Sequence, residues 1–325
     1  MPGLSGPSQR GAERLPGPRL KVLLVRAGAL GDLLLLRPTI AGLRAAGYGV
    51  SLLAPELPGK ALEGPGAADS VLPSDGPEVA AALADGWKAG PIARALREAD
   101  AVVAFTRSVP LLERLAEPAR RLIVHDPTPP ASGGHAALWL AQAVAPLLSS
   151  APTLSLADVP VLSFTDAEQH DADNRTRGLP ARFLAVHPGS GSPSKNWPVG
   201  RFFETARRLA GEDPWLLVTG PAEAELAAPS GAILAREWPL RMLGAVLARA
   251  SLFLGNDGGV SHLAAAAGAP TLALFGPTDP DVWAPVGPRV RTLRAPGGSM
   301  TGLELEAVLG AARRLRSAAS GLPSG

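Results

Sequence analysis

Residues 252–275 read LFLGNDGGVSHLAAAAGAPTLALF. Leu252–Gly255 is a short apolar run without alternation, the pattern of a strand covered on both faces. A glycine turn follows, then a helical stretch over Gly259–Ala267, then a second apolar run at Thr271–Phe275. Strand, glycine turn, helix and strand make one βαβ unit, and such units build parallel sheets with helices on both faces.

The same alternation extends outward from this unit. Lys21–Arg26 (KVLLVR) reads as a strand, Gly28–Gly31 as a loop, and Asp32 opens a helical pattern to about Ala46, ended by Gly47. Gly49–Leu53, Val71-Leu72, Ala101–Phe105 and Leu122–Val124 read as further strands, and Ala136–Leu148 as the helix closing this half. Ser149–Asp166, rich in Pro and Ser, reads as an interdomain linker. Alternation then resumes with strands at Phe183–His187 and Trp215–Thr219 and helices at Pro198–Ala210, Leu240–Arg249 and Leu303–Ala318. The expectation is an α/β fold of two Rossmann-like, doubly wound domains facing across a cleft. Residues 1–20 read as a disordered Pro/Gly arm, 21–165 as the N-terminal domain and 166–325 as the C-terminal one. The last helix, 303–318, is a candidate to pack back on the N-terminal domain.

Composition narrows the function. The chain has 325 residues, 46% hydrophobic and 18% charged, which is enough apolar material for two cores. Lys and Arg number 31 against 29 Asp and Glu, and no basic run exceeds two residues, so no nucleic-acid footprint is visible. Cysteine is absent, which excludes disulfides, a thiol nucleophile and a thiolate metal site. The opening MPGLSGPSQRGAERLPGPRL has no apolar h-region, so no secretory signal is expected there. Pro127–Ala157 lacks charges but is broken by prolines and is not a transmembrane span. The expected location is cytoplasmic.

Ligands of such sheets bind at the carboxyl ends of strands, so chemistry is sought in the loops that follow them. The first loop, Arg26-Ala-Gly28-Ala-Leu-Gly31-Asp32, places Asp32 at a helix start, as a cap or as a general base aimed into the cleft. GxGxxG is unmatched and no acid ends the second strand, so a nicotinamide dinucleotide fingerprint fails. The second loop, HPGSGSPSKNWP (187–198), combines glycine and serine amides, a helix N-terminus and Lys195 into a phosphate cradle. Lys195 is one of four lysines beside 27 arginines, which suggests a need for a compact ammonium. The third loop offers Asp257, amides at Gly258 and Gly259, and His262 in the helix's first turn. The fourth, FGPTDPDVWAP (275–285), lies on the same edge. In the fifth, Gly220–Glu225, Glu223 could accept ribose hydroxyls or serve as a first-turn acid. Arg107, just after the Ala101–Phe105 strand, is either a ligand contact or a solvated surface residue. Two DxD strings, Asp171–Asp173 and Asp279–Asp281, read as non-metal, since one lies in a polar helix and proline interrupts the other.

Together these loops resemble glycosyltransferase family 9, the ADP-heptose:lipopolysaccharide heptosyltransferases. VLLVRAGALGDLLLLRPTIAGLR resembles the family's first strand, Gly-Asp turn and helix; HPGSGSPSKNWP resembles its HPGSG…KxWP loop; NDGGVSHLAAAAGAPTLALFGPTDPDVWAP resembles its D(S/T)GxxHLAAAxGxP…FGxTxPxxWxP segment. The chain departs at Gly258, where the family usually carries Ser or Thr. The resemblance implies a GT-B fold, with the acceptor on the N-terminal domain and the nucleotide-sugar on the C-terminal one. It implies inverting, metal-independent transfer of a heptose from an ADP-sugar to a lipopolysaccharide-type saccharide or glycolipid acceptor. No cofactor is implied, nor any nucleic-acid partner, and peripheral contact with the inner membrane is compatible with it. Carried over by position, Asp32 is the general base, and Lys195, Ser190 and Gly191 hold the donor diphosphate. Asp257, Gly258, Gly259 and His262 complete the phosphate and ribose end, and Glu223 is a nucleoside contact. Arg26 and Arg107 are the acceptor-side candidates. Two other readings stay open: a UDP-sugar-dependent GT-B transferase or epimerase, and a nucleotide-binding module without turnover.

Overall fold

The computed structural model describes residues 19–149 and 155–320. Most of the expected arm and the Ser150–Leu154 part of the expected linker lie outside them. Arg19 and Leu20, at the end of the arm, are placed: Arg19 Nε donates to the Gly47 carbonyl at 2.9 Å, and the Leu20 carbonyl accepts from Gly49 N–H at 2.8 Å.

Five parallel strands form the N-terminal sheet: β1 (Lys21–Arg26), β2 (Gly49–Ala54), β3 (Ser70–Pro73), β4 (Ala101–Phe105) and β5 (Leu122–His125), in the order β3-β2-β1-β4-β5. Six parallel strands form the C-terminal sheet: β6 (Leu184–His187), β7 (Trp215–Thr219), β8 (Ala232–Arg236), β9 (Leu252–Asn256), β10 (Thr271–Phe275) and β11 (Val290–Arg294), in the order β11-β10-β9-β6-β7-β8. The strands that read as continuous apolar runs are central. Leu24 of β1 pairs with Leu52 and Val103, and Val186 of β6 pairs with Leu217 and Leu254. In each sheet the order reverses at the first strand, so the loops after β1 and β6 stand at the switch points where ligands gather.

Three expectations are corrected. The pattern from Asp32 to Ala46 is two helices, Leu30–Leu34 and Arg37–Ala45. Pro38 has no N–H, and its ring would clash with the carbonyl four residues back, so the helix must break and restart with Pro38 in its first turn. β8 and β11 were not read as strands, and both are sheet edges whose side chains are largely half-buried or exposed. The last helix, Leu305–Ser320, lies on the C-terminal sheet and not back on the N-terminal domain. Its stripe of Val308, Leu309, Ala312 and Leu315 is buried with Phe202, Leu272 and Leu274.

The two domains share one core. A single cluster of buried side chains runs from Leu33, Leu36 and Ile40 through Leu162 to Met242, Leu263 and Ala266. Burying a Leu side chain stabilises by roughly 1.5–3 kcal/mol, so this seam holds the carboxyl edges of the two sheets in a defined relation.

Candidate active site

The N-terminal wall is built by the turn after β1. Gly28 takes φ +143°, and a Cβ there would come within 2.7 Å of Asp32 Cβ. Glycine lets the turn fold back over the first turn of the Leu30–Leu34 helix, where Asp32 Oδ2 accepts from Ala29 N–H at 3.0 Å. Asp32 therefore caps its helix, yet its side chain stays 41% exposed to the cleft.

Arg26 lies behind it, buried. Its Nε donates to the Asp32 carbonyl at 3.0 Å and its Nη1 to the Pro127 carbonyl at 3.2 Å, while Nη2 stands 3.5 Å from Asp32 Oδ1. The guanidinium also sits over the Phe105 ring. Burial lowers its pKa and Asp32 opposes that shift. Arg26 thus braces the Asp32 turn from behind, with its guanidinium shared between Asp32 and the Pro127 carbonyl. Arg107 follows the neighbouring strand β4, which pairs Arg26 with Phe105. It is an exposed arginine held in a two-pronged pair with Asp126, Nε to Oδ2 at 2.9 Å and Nη2 to Oδ1 at 2.6 Å.

The C-terminal wall joins the loops after β6, β9 and β10. Asn256, fully buried at the end of β9, accepts from Trp197 N–H at 3.0 Å and donates to the Pro188 carbonyl at 2.7 Å, so it staples both ends of the His187–Pro198 loop. Ser190 spends its hydroxyl inside that loop, against the Ser192 carbonyl at 2.8 Å and Asn196 Oδ1 at 2.6 Å, and Gly191 faces open space. Lys195 Nζ donates to Asp257 Oδ2 at 2.8 Å, and Thr278 Oγ1 donates to the same oxygen at 2.6 Å. A carboxylate only accepts, so Asp257 is the lysine's partner, and Lys195 and the loop amides are the donors this wall could offer an anion.

Gly258 precedes the Gly259–Ala266 helix and has no side chain to cap it; Ser261 N–H turns back to the Gly258 carbonyl at 3.0 Å, so the amides available to an anion are those of Gly259 and Val260. Gly258 has φ −169°, ordinary extended backbone, and a Cβ there would meet Ser190 Cα and Cβ at 3.5 Å, a normal contact. Gly259 is constrained differently: a Cβ there would come within 2.9 Å of Leu30 Cβ from the other domain. A Cβ at Gly31 would likewise come within 3.3 Å of His262 Cδ2. Two helix starts thus approach across the cleft through paired glycines.

His262, buried, stands between these walls electrostatically. Burial pushes its imidazole from 6.5 down to about 4; Asp257 and Asp32 oppose the shift, while His135 and Lys195 reinforce it. The ring is neutral at pH 7. His135 accepts from Ala137 N–H through Nδ1 at 3.2 Å, so its Nε2–H donates to the Ala284 carbonyl at 3.0 Å, tying the N-terminal domain to the C-terminal one. Glu223 flanks the cradle: its Oε2 accepts from Gly220 N–H at 3.0 Å, and its carboxylate occupies the space a Cβ at Gly189 would need. Beside it opens a groove of about 710 Å³ lined by Pro188, Trp197, Pro198, Glu223 and Leu226.

The DxD strings have structural partners. Asp171 pairs with Arg175 at 3.6 Å and Asp173 with Arg249 at 2.5 Å, while Asp279 Oδ1 caps a short helix through Asp281 N–H at 3.1 Å. Asn256 and Thr278 went unremarked in the sequence, although both stand inside the quoted third and fourth loops.

A profile of glycosyltransferase family 9 (heptosyltransferase) matches residues 146–310, half of the chain, and takes in the whole C-terminal wall. The chain belongs to glycosyltransferase family 9. Family 9 relatives include lipopolysaccharide heptosyltransferase 2 of Salmonella typhimurium, 31% identical over 114 residues that cover 31% of this chain and 33% of that protein. Lipopolysaccharide heptosyltransferase 3 of Escherichia coli is 29% identical over 119 residues, covering 33% of this chain and 35% of that one. In these matches the chain spans about a third of each curated relative. The fold likeness runs further. E. coli ADP-heptose lipopolysaccharide heptosyltransferase II superposes with a TM-score of 0.73 at 19% identity, over 93% of this chain and 100% of that one. E. coli heptosyltransferase WaaC with ADP gives 0.69 at 23% identity, over 91% and 100%. The family 9 chain is therefore a GT-B protein, two Rossmann-like domains facing across the cleft just described.

Proposed function

We propose that this chain is an inverting, metal-independent heptosyltransferase that uses an ADP-sugar donor and a lipopolysaccharide-type saccharide or glycolipid acceptor. One observation carries the reading. The turn that carries Asp32 packs directly on the helix start beside Lys195's partner: a Cβ at Gly31 would come within 3.3 Å of His262 Cδ2 and one at Gly259 within 2.9 Å of Leu30 Cβ, while Lys195 Nζ donates to Asp257 Oδ2 at 2.8 Å. A base and a cationic leaving-group site thus face one cleft.

The chemistry follows from that pairing. The acceptor hydroxyl oxygen attacks the anomeric carbon as the bond from that carbon to the diphosphate oxygen breaks. The hydroxyl proton passes to Asp32. Charge developing on the departing ADP is met by Lys195 and by the open amides of the Gly259–Ala266 helix, in place of a metal ion. Attack opposite to departure inverts the anomeric configuration. The relative WaaC is a heptosyltransferase seen with ADP, which favours adenine over uracil in the donor. The acceptor would be met at the cytoplasmic face of the inner membrane; among the described residues no helix is long and apolar enough to cross one.

Calorimetric titration with ADP, UDP and NAD, in EDTA and again in Mg²⁺, tests the donor half. ADP binding that ignores EDTA is the expected result, followed by turnover of ADP-heptose. A preference for UDP, or binding only with Mg²⁺, would overturn it.

A further inference from the structure

Three loops from different strands meet at one carboxylate oxygen. Asp257 follows β9, Lys195 lies in the loop after β6, and Thr278 lies in the loop after β10. Asp257 Oδ2 accepts from Lys195 Nζ at 2.8 Å and from Thr278 Oγ1 at 2.6 Å. The Asp257 side chain is 7% exposed, against 29% for Lys195, so the carboxylate relies on protein donors for its solvation while the ammonium reaches the cleft. Its backbone is pinned as well, Asp257 N–H donating to the Leu274 carbonyl at 2.8 Å.

We propose that Thr278 is a positioning residue for the donor diphosphate, acting through Asp257 on Lys195. This rests on the reading of Lys195 as the diphosphate-binding cation. When an anion draws the ammonium forward, Asp257 Oδ2 loses its charged donor in a site with little water. A buried carboxylate oxygen left bare is costly, and that cost would be charged against ligand binding. The Thr278 hydroxyl keeps Oδ2 hydrogen-bonded throughout, so Lys195 is released to the phosphate without stranding its partner. It also keeps the carboxylate oxygen turned toward the β6 loop, so the ammonium returns to one place.

The test is a double-mutant cycle read as the Kd of ADP for the full chain. Thr278→Val is expected to weaken ADP about tenfold or more, the size of one hydrogen bond to a charged group. Thr278→Ser, which keeps the hydroxyl, is expected to stay within about threefold of the parent. In a Lys195→Met background no ammonium is released, so Thr278→Val should change Kd by less than about twofold or tighten it. A packing role would instead give the same loss in both backgrounds, and that result, or no loss from Thr278→Val alone, overturns the proposal. If Lys195→Met itself leaves ADP binding intact, the diphosphate reading fails first and is recognised separately. Should Thr278→Val not fold, Thr278→Ala carries the same comparison.

Discussion

Asp32 and Lys195 are opposite charges held by different means. Asp32 is braced by Arg26 and by Ala29 N–H, and Lys195 by Asp257. Each can be altered without leaving a hole in the core, because both reach the cleft. Asp32→Asn is expected to lower kcat by about 10²–10⁴, the usual yield of a positioned base, with an unchanged melting temperature. Lys195→Met should lower it by about 10²–10³. Turnover within tenfold of the parent in either variant would remove that residue from its role. His262 makes a separate prediction about pH. Its folded pKa of about 4 lies below the ordinary 6.5, so the unfolded chain takes up a proton that the folded protein refuses. Stability is full above pH 6.5 and falls as pH drops toward 4, by up to roughly 3 kcal/mol from this residue. His262→Gln should flatten that part of the curve of melting temperature against pH; an unchanged slope would show that the acid loss comes from elsewhere.

Elements were legible in the sequence where both faces of a strand are covered. β1, β4, β7 and β10 match their expected ranges because each is built on an unbroken apolar run of four or five residues. β11 (VRTLR) could not be found that way, since an edge strand buries one side only and its pattern resembles that of a loop. The break between the Leu30–Leu34 and Arg37–Ala45 helices was legible in Pro38, whose effect outweighs an otherwise continuous apolar stripe. What no local pattern could show is the meeting of two helix starts across the cleft, where Gly259 faces Leu30. That contact yields an element-scale prediction. Gly259→Ala places a methyl 2.9 Å from Leu30 Cβ, closer than carbon atoms tolerate, so the two helices must part. Displacements near 1 Å cost up to about 10²-fold in rate, so kcat/KM should fall at least tenfold while ADP affinity, built on the C-terminal wall alone, stays within about threefold. Equal losses in both would mean that the substitution damages the donor cradle itself.

The relation between the two domains belongs to the whole molecule, and Arg37 is where it is most exposed to test. This arginine is buried, donating through Nη1 to the Val286 carbonyl of the C-terminal domain at 2.7 Å and through Nη2 to the Pro160 carbonyl of the linker. Burial pushes its pKa down to about 10, so the guanidinium still carries its charge at neutral pH. The sequence shows only an Arg-Pro pair inside an apolar helix, because the carbonyls it serves lie more than a hundred residues away. A charge is costly to bury, and here it is held by carbonyl dipoles that would otherwise be stranded at the domain seam. Arg37→Met keeps the length of the side chain and removes the donors, leaving two carbonyls bare at about 1–3 kcal/mol each. The loss falls on the seam and not on either sheet, so it should loosen the coupling between the domains more than the domains themselves. In calorimetry the parent is expected to unfold in one transition and Arg37→Met in two, with kcat/KM reduced through misalignment of Asp32 against Lys195. Arg37→Lys, with a single ammonium able to serve one carbonyl well, should fall between them. If Arg37→Met instead shifts one sharp transition downward and leaves kcat/KM alone, the apolar seam from Leu33 to Leu263 is sufficient to align the cleft, and Arg37 adds stability without adding alignment.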